Sequence, residues 1–77
     1  MNEHDLIDLG FKRFDETNGV DEFSYYSLSI GGIEFISNDS DDWVEEDLSV
    51  EIADSEVVFN DFEDLSTVLN ILRKNEL

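Results

Sequence analysis

The 77-residue sequence has no cysteine, no proline, one histidine and only four basic residues. Without cysteine, disulfides and thiol chemistry are excluded. The apolar runs are a few residues long, far short of the roughly 20 residues that a membrane-spanning helix needs. No charged segment precedes an apolar run at the N-terminus, so no signal peptide is predicted. With no repeat and no linker either, we expect a single cytoplasmic domain over residues 1–77.

Acidic residues are far more abundant than basic ones. Aspartate and glutamate number 21, and the formal net charge is −17. A net charge of roughly 2 to 8 in magnitude is sufficient to keep a small domain soluble. The self-repulsion of these carboxylates destabilises the compact state, so we expect salt, a bound cation or a basic partner to compensate. Hydrophobic content of 40% and aromatic content of 12% argue against disorder.

A pair of glycines, Gly31-Gly32, lies between two runs rich in aromatic and β-branched residues, 23–30 and 33–37. This pattern predicts a β-hairpin with a two-residue turn. The turn would pair Ile30 with Ile33, Leu28 with Phe35 and Tyr26 with Ser37, and those residues would share the core face of the sheet. The other face would carry Phe23, Tyr25 and Ile36, either as partly covered residues or as a small exposed apolar patch.

Shorter elements flank this hairpin. Asn2 to Leu9 reads as a capped helix that ends at Gly10, and Phe11 to Asp15 reads as a strand. The following loop is expected to span roughly residues 16–21, because a two-residue turn at Asn18-Gly19 would set like charges opposite each other. Leu48 to Ile52 and Glu56 to Phe59 are predicted as further strands.

The C-terminal segment has the pattern of an amphipathic helix. Asn60 and Glu63 have the spacing of a capping box. An apolar stripe follows at helical spacing: Phe62, Leu65, Val68, Leu69 and Leu72. We therefore predict an α+β fold with an antiparallel four- to five-stranded meander sheet, a short N-terminal helix and a C-terminal helix packed on one face.

The densest acidic segment, Asn38 to Asp47, is rich in turn-forming residues and is predicted to be a loop. Trp43 within it either closes the edge of the core or faces a partner. We predict that this segment makes the partner contacts, through Asp39, Asp41, Asp42, Trp43, Glu45, Glu46 and Asp47.

Other chemistries are less well supported by the sequence. No nucleophile–base arrangement, phosphate loop or zinc spacing is present, so we predict no enzyme, no catalytic residue and no cofactor. A calcium loop that began at Asp39 would need glycine at its sixth position and glutamate at its twelfth, where the sequence has Val44 and Val50. We therefore predict no specific metal site. So negative a surface repels phosphate, and direct binding of nucleic acid is not expected.

The inverse role is favoured, in which carboxylates occupy the basic groove of a nucleic-acid-binding protein. Leu-Gly-Phe near the start, Tyr-Tyr before Gly-Gly-Ile, and Asn-Asp-Phe-Glu-Asp-Leu before the last helix resemble small uncharacterised bacteriophage and prophage proteins. In size, acidity and layout the chain is also similar to phage-encoded anti-CRISPR proteins that act as DNA mimics. This likeness implies a host-defence protein, such as a CRISPR effector, as the target in a bacterial host cell.

Three alternatives remain open. The chain could be an immunity protein against a nuclease toxin, or a divalent-cation-binding module. It could also be a structural phage protein that forms oligomers through the face of Phe23, Tyr25 and Ile36. Both a monomer and a homodimer are compatible with the sequence.

Overall fold

A computed structural model describes residues 1–17, 19–44 and 47–75, and it has the predicted α+β architecture. Five antiparallel strands form one open sheet in the order β1-β2-β3-β4-β5. The helices are α1 (Glu3–Asp8) and α2 (Phe62–Asn75), with a 3₁₀-helix at Ser40–Val44. The strands are β1 (Lys12–Thr17), β2 (Glu22–Ile30), β3 (Ile33–Ser37), β4 (Val50–Ile52) and β5 (Val58–Phe59).

The hairpin of β2 and β3 has the predicted register. Ile30 pairs with Ile33 and Leu28 with Phe35. Gly31 and Gly32 have φ values of 59° and 81°, the positive angles that glycine adopts without a steric penalty. At the predicted Tyr26–Ser37 pair, the Tyr26 amide donates to the Ser37 hydroxyl oxygen at 2.7 Å, so a side chain makes this contact.

The loop between β1 and β2 is wider than a two-residue turn, as the charge argument predicted. Asp15 lies opposite Ser24, and Thr17 lies opposite Glu22. This register keeps Asp15 away from the carboxylate of Glu22 and gives it a hydroxyl neighbour. The loop is shorter than the expected 16–21, because β1 continues to Thr17.

The core lies on one face of the sheet, beneath α1 and α2. Its fully buried side chains come from both helices and three strands: Leu6, Tyr26, Phe35, Val50, Leu65 and Leu69. Leu28 and Ile33 pack against this cluster while remaining partly exposed. The opposite face of the sheet is not covered by any of the described elements.

The C-terminal helix differs from the prediction at its first turn. Asp61, rather than Asn60, caps it, since the Glu63 amide donates to Asp61 Oδ1 at 2.9 Å. Adjacent Asn and Asp side chains cap equally well, so the sequence could not distinguish them. Phe62 is 36% exposed, so the predicted core stripe is wrong at that residue.

Two other boundaries differ. The predicted acidic loop contains the 3₁₀-helix at Ser40–Val44. Strands β4 and β5 are shorter than predicted, although Leu48 just before β4 is buried. Between them Asp54 has a φ of 64°, a left-handed conformation that Asp tolerates in turns.

Candidate functional site

The acidic segment is closed at its base by one side chain, Asn38. The Asn38 Nδ2 group donates to the Asp47 carbonyl at 3.1 Å, and Asn38 Oδ1 accepts from the Ser49 amide at 3.2 Å. The Asn38 amide also donates to the Ser49 carbonyl at 3.1 Å. One residue therefore ties the start of the segment to its end.

Trp43 fixes the middle of the segment against the sheet. Its Nε1 donates to Asn38 Oδ1 at 2.9 Å and to the Asn38 carbonyl at 3.0 Å. Its ring stacks on the buried Tyr26 ring with centroids 6.0 Å apart. Because both the indole N–H and a ring face are engaged within the chain, the geometry favours the anchor role over a partner-facing aromatic.

The acids of the segment point outward. Asp39, Asp41, Asp42 and Asp47 are exposed, while Glu45 and Glu46 lie outside the described residues. Among the described residues, none of the hydrogen bonds that hold the segment ends on these four carboxylates. The segment is instead held by amides, hydroxyls and the indole, so the carboxylates remain available to a partner.

Two grooves flank the 3₁₀-helix and bring in acids from other elements. Ser40 lines the first groove, of about 590 Å³, together with Asp15, Glu16 and Glu22. Trp43 lines the second groove, of about 230 Å³, together with Glu3 and Asp47. We call this region the acidic end and define it by eight carboxylates: Glu3, Asp15, Glu16, Glu22, Asp39, Asp41, Asp42 and Asp47.

Half of the acidic end was missed by the sequence analysis. Glu3, Asp15, Glu16 and Glu22 are distant from the acidic segment along the chain. They join it because the Ser24 amide donates to the Ser40 hydroxyl oxygen at 2.9 Å, which docks the 3₁₀-helix on β2. For Asp15, Glu16 and Glu22, only the β1–β2 register could have indicated that they lie nearby, whereas Glu3 is brought there by its contacts with Tyr26 and Arg13.

Among the described residues, one basic side chain, Arg13, lies within the acidic end, and it is bound there. Its Nε donates to Asp15 Oδ1 at 3.1 Å, and its guanidinium contacts Glu3 Oε1 at 3.4 Å and Ser24 Oγ at 3.1 Å. The Ser24 hydroxyl in turn donates to Asp15, and the Tyr26 hydroxyl donates to Glu3 Oε1 at 2.9 Å. This network fixes α1 and β1 at one edge of the core.

The network shifts three pKa values. The Ser24 hydroxyl, followed by the Arg13 guanidinium, lowers the pKa of Asp15. The hydrogen bond and charge of Asp15 raise the pKa of Arg13. Burial, with the added effect of the Glu3 carboxylate, raises the pKa of Tyr26. At neutral pH Asp15 is thus a carboxylate, Arg13 a cation and Tyr26 a neutral phenol.

The remaining basic residues lie elsewhere. Arg73 and Lys74 occupy the last turn of α2, where cations suit the helix dipole. The Arg73 guanidinium donates to the Leu9 carbonyl, just beyond α1. Lys12 begins β1, at the opposite end of that strand from Glu16. The acidic end therefore keeps most of its negative charge.

Within residues 1–17, 19–44 and 47–75, no group of three or more His, Asp or Glu side chains converges as a metal site. Asp39, Asp41 and Asp42 are exposed and do not form such a group. None of the helices in these ranges is long and apolar enough to cross a membrane.

Comparison with known proteins identifies no relative: no family model, curated protein or solved structure matches this chain.

Proposed function

We propose that this protein binds the cationic nucleic-acid groove of a basic protein and blocks it. The acidic end supplies the contacts, and its carboxylates take the place of phosphates. The target class implied by the likeness in size, acidity and layout to DNA-mimic anti-CRISPR proteins is a bacterial host-defence nuclease.

The observation that carries this proposal is the convergence of acids from four parts of the chain. Carboxylates of α1, β1 and β2, with Asp47 of the acidic segment, border two grooves beside the 3₁₀-helix, and Asp39, Asp41 and Asp42 are exposed at or next to that helix. Like charges brought together in this way repel each other, which costs folding free energy. A cationic partner would remove that cost on binding and would also be attracted at long range, which speeds association.

A merely solvated acidic surface is the competing explanation. Acids also occur on other elements, as at Glu34 on β3 and Glu51 on β4. If the acidic surface is merely solvated, any set of carboxylates should contribute equally to binding a basic protein. The proposal predicts that those of the acidic end contribute most.

Two variants of equal net charge separate these explanations. The first replaces Asp39, Asp41, Asp42 and Asp47 by Asn. The second is the matched control, with Asp54→Asn, Glu56→Gln, Glu63→Gln and Asp64→Asn, four exposed acids outside the acidic end. Fluorescence anisotropy would measure binding of each to purified DNA-binding proteins, beginning with an RNA-guided DNA nuclease, with duplex DNA as competitor.

We expect the first variant to bind at least about tenfold more weakly than the control, the equivalent of about 1.4 kcal/mol. Duplex DNA should displace the wild-type protein, because both ligands use the same cations. Equal weakening of the two variants would mean that total charge, and no particular surface, determines binding. If duplex DNA did not displace the wild-type protein, its carboxylates would not mimic phosphates, although the protein would still bind the target at another surface.

A further inference from the structure

Strand β1 lies at the edge of the open sheet, with β2 as its only neighbour among the described strands. All six of its residues, Lys12–Thr17, are exposed. An edge strand of this kind presents unpaired backbone groups to which another strand can bind.

The direction of these backbone groups follows from the sheet. The Tyr26 amide is directed at β3, where it donates to Ser37. Backbone groups alternate in direction along an antiparallel strand, so the N–H and C=O of Tyr25 face β1 and bond to Phe14, its partner in the register. The N–H and C=O groups of Arg13 and Asp15 consequently point away from β2, toward the open edge.

The sequence of this edge is self-complementary. Residues 12–16 read Lys-Arg-Phe-Asp-Glu. If two copies run antiparallel with Phe14 opposite Phe14, then Lys12 lies opposite the partner's Glu16 and Arg13 lies opposite the partner's Asp15. Opposite charges placed directly across a ladder stabilise it, and like charges destabilise it. Every charged pair in this register is favourable.

We propose that the protein forms a symmetric homodimer in which β1 pairs antiparallel with β1 of a second copy, centred on Phe14. The two sheets then join into one continuous ten-stranded sheet. Arg13 and Asp15 exchange the backbone hydrogen bonds of the new ladder, and Lys12 and Glu16 flank Phe14 on the uncovered face. In the dimer Asp15 and Glu16 face the second copy, so the contacts of the acidic end with a basic protein come from its other six carboxylates.

Aromatic contacts extend across the same axis. The Phe14 ring is 41% exposed on the uncovered face and stacks on Tyr25 with centroids 5.4 Å apart. Phe23 continues the row, 6.5 Å from Tyr25. Pairing of the two Phe14 residues joins the rows of both copies and covers part of each exposed ring. Aromatic cross-strand pairs are among the more stabilising pairs in sheets.

Charge complementarity distinguishes this edge from one that is merely protected against aggregation. Edge strands that are protected against aggregation carry charged side chains, commonly lysines, that repel a second copy or are costly to bury. Here two cations and two anions are ordered so that a second copy meets opposite charges. The strand also carries no net charge over residues 12–16, although the whole chain has a formal charge of −17. A second copy therefore meets no net charge along this edge.

A charge-swap series at Lys12 and Glu16 tests the dimer. Both side chains are exposed, and neither belongs to the Arg13 network, so the substitutions preserve the fold. Lys12→Glu and Glu16→Lys each place like charges opposite one another in a homodimer. The double swap, Lys12→Glu with Glu16→Lys, restores opposite pairs and keeps the net charge of the wild-type protein.

Sedimentation equilibrium would measure the monomer–dimer equilibrium of each variant. A single strand edge is a small interface, so we expect the wild-type Kd to be on the order of tens of micromolar. Each single variant should raise that Kd at least about tenfold, and the double swap should return it to within about threefold of wild type. An equimolar mixture of the two single variants should form a heterodimer, because position 12 of each then faces an opposite charge.

Amide hydrogen exchange tests the geometry directly. The Arg13 and Asp15 amides should become protected as protein concentration rises through the Kd, while the Phe14 amide, already bonded to β2, should not change. A wild-type protein that stays monomeric at millimolar concentration would overturn the proposal. A dimer whose Kd is unchanged by the single swaps, for instance one formed through Phe23 and Ile36 on the sheet face, would also overturn the proposal.

Discussion

Asn38→Ala is the substitution that most directly tests how the acidic segment is held. Alanine removes the Nδ2 bond to the Asp47 carbonyl and the Oδ1 acceptor shared by Trp43 and Ser49. The backbone bond from the Asn38 amide to Ser49 remains. The segment therefore stays attached at one point and loses its side-chain closure.

The magnitude follows from the environment of each bond. The Ser49 amide is partly buried and loses its side-chain acceptor, which costs about 1 kcal/mol. Trp43 Nε1 keeps the Asn38 carbonyl as acceptor, so losing its bond to the Asn38 side chain costs about 0.5 kcal/mol. The exposed bond to Asp47 is replaced by water and contributes at most about 0.5 kcal/mol. The total is about 1.5–2 kcal/mol, from a free energy of unfolding of about 4–12 kcal/mol for a domain of this length.

Thermal unfolding would check this value. For a domain of this size each kcal/mol lowers the Tm by about 4–8 °C, so a fall of roughly 6–16 °C is expected. Trp43 emission should shift to longer wavelength as the ring loosens from Tyr26. The matched control is Asn70→Ala, at an exposed position of α2, which should leave the Tm unchanged or slightly higher because alanine favours helix. A fall of less than about 2 °C for Asn38→Ala would refute the closure argument.

Two further predictions concern charge. The pKa of Asp15 is lowered in the folded state, so the stabilisation it provides is present above the unfolded-state pKa of about 3.9 and is lost as pH falls through the folded-state pKa. Urea unfolding of wild type and Asp15→Asn from pH 7 to pH 3 should show a difference that narrows on acidification, and a difference that stays constant would contradict the assignment. Raising the salt concentration shortens the Debye length from about 30 Å at 0.01 M to about 8 Å at 0.15 M, which should raise the free energy of unfolding by screening the net charge. NaCl and KCl should act alike if screening is the cause, and a flat response would show that repulsion contributes little.

The fold was predictable wherever a local pattern had one solution. The two glycines set the β2–β3 register, because only a two-residue turn places Ile30 beside Ile33 with the apolar residues on one face. Charge repulsion was sufficient to reject the narrow turn after β1. The cap of α2 was not predictable, since Asn60 and Asp61 are both good caps and packing of the helix decides between them.

The candidate site was predictable only in part, for a physical reason. A run of acids is visible in the sequence, but the acids that join it from α1, β1 and β2 depend on tertiary contacts. The Ser24–Ser40 hydrogen bond that brings the 3₁₀-helix onto β2 links two serines 16 residues apart. Serine is so common in turns that neither residue indicates a contact. The sequence also left open whether Trp43 closes the core or faces a partner, because its hydrogen bonds to Asn38 are visible only in the fold.

The way in which the acidic segment is held bears on any functional test. Its closure uses Asn38, Trp43, Ser40 and backbone groups, all of them neutral. A segment held by ion pairs would lose its shape when its aspartates were replaced, and weaker binding would then have two explanations. Here, replacing Asp39, Asp41, Asp42 and Asp47 by Asn removes like charges without removing a described hydrogen bond, so the fold should be retained or become more stable. Loss of binding in that variant would therefore report on the carboxylates themselves.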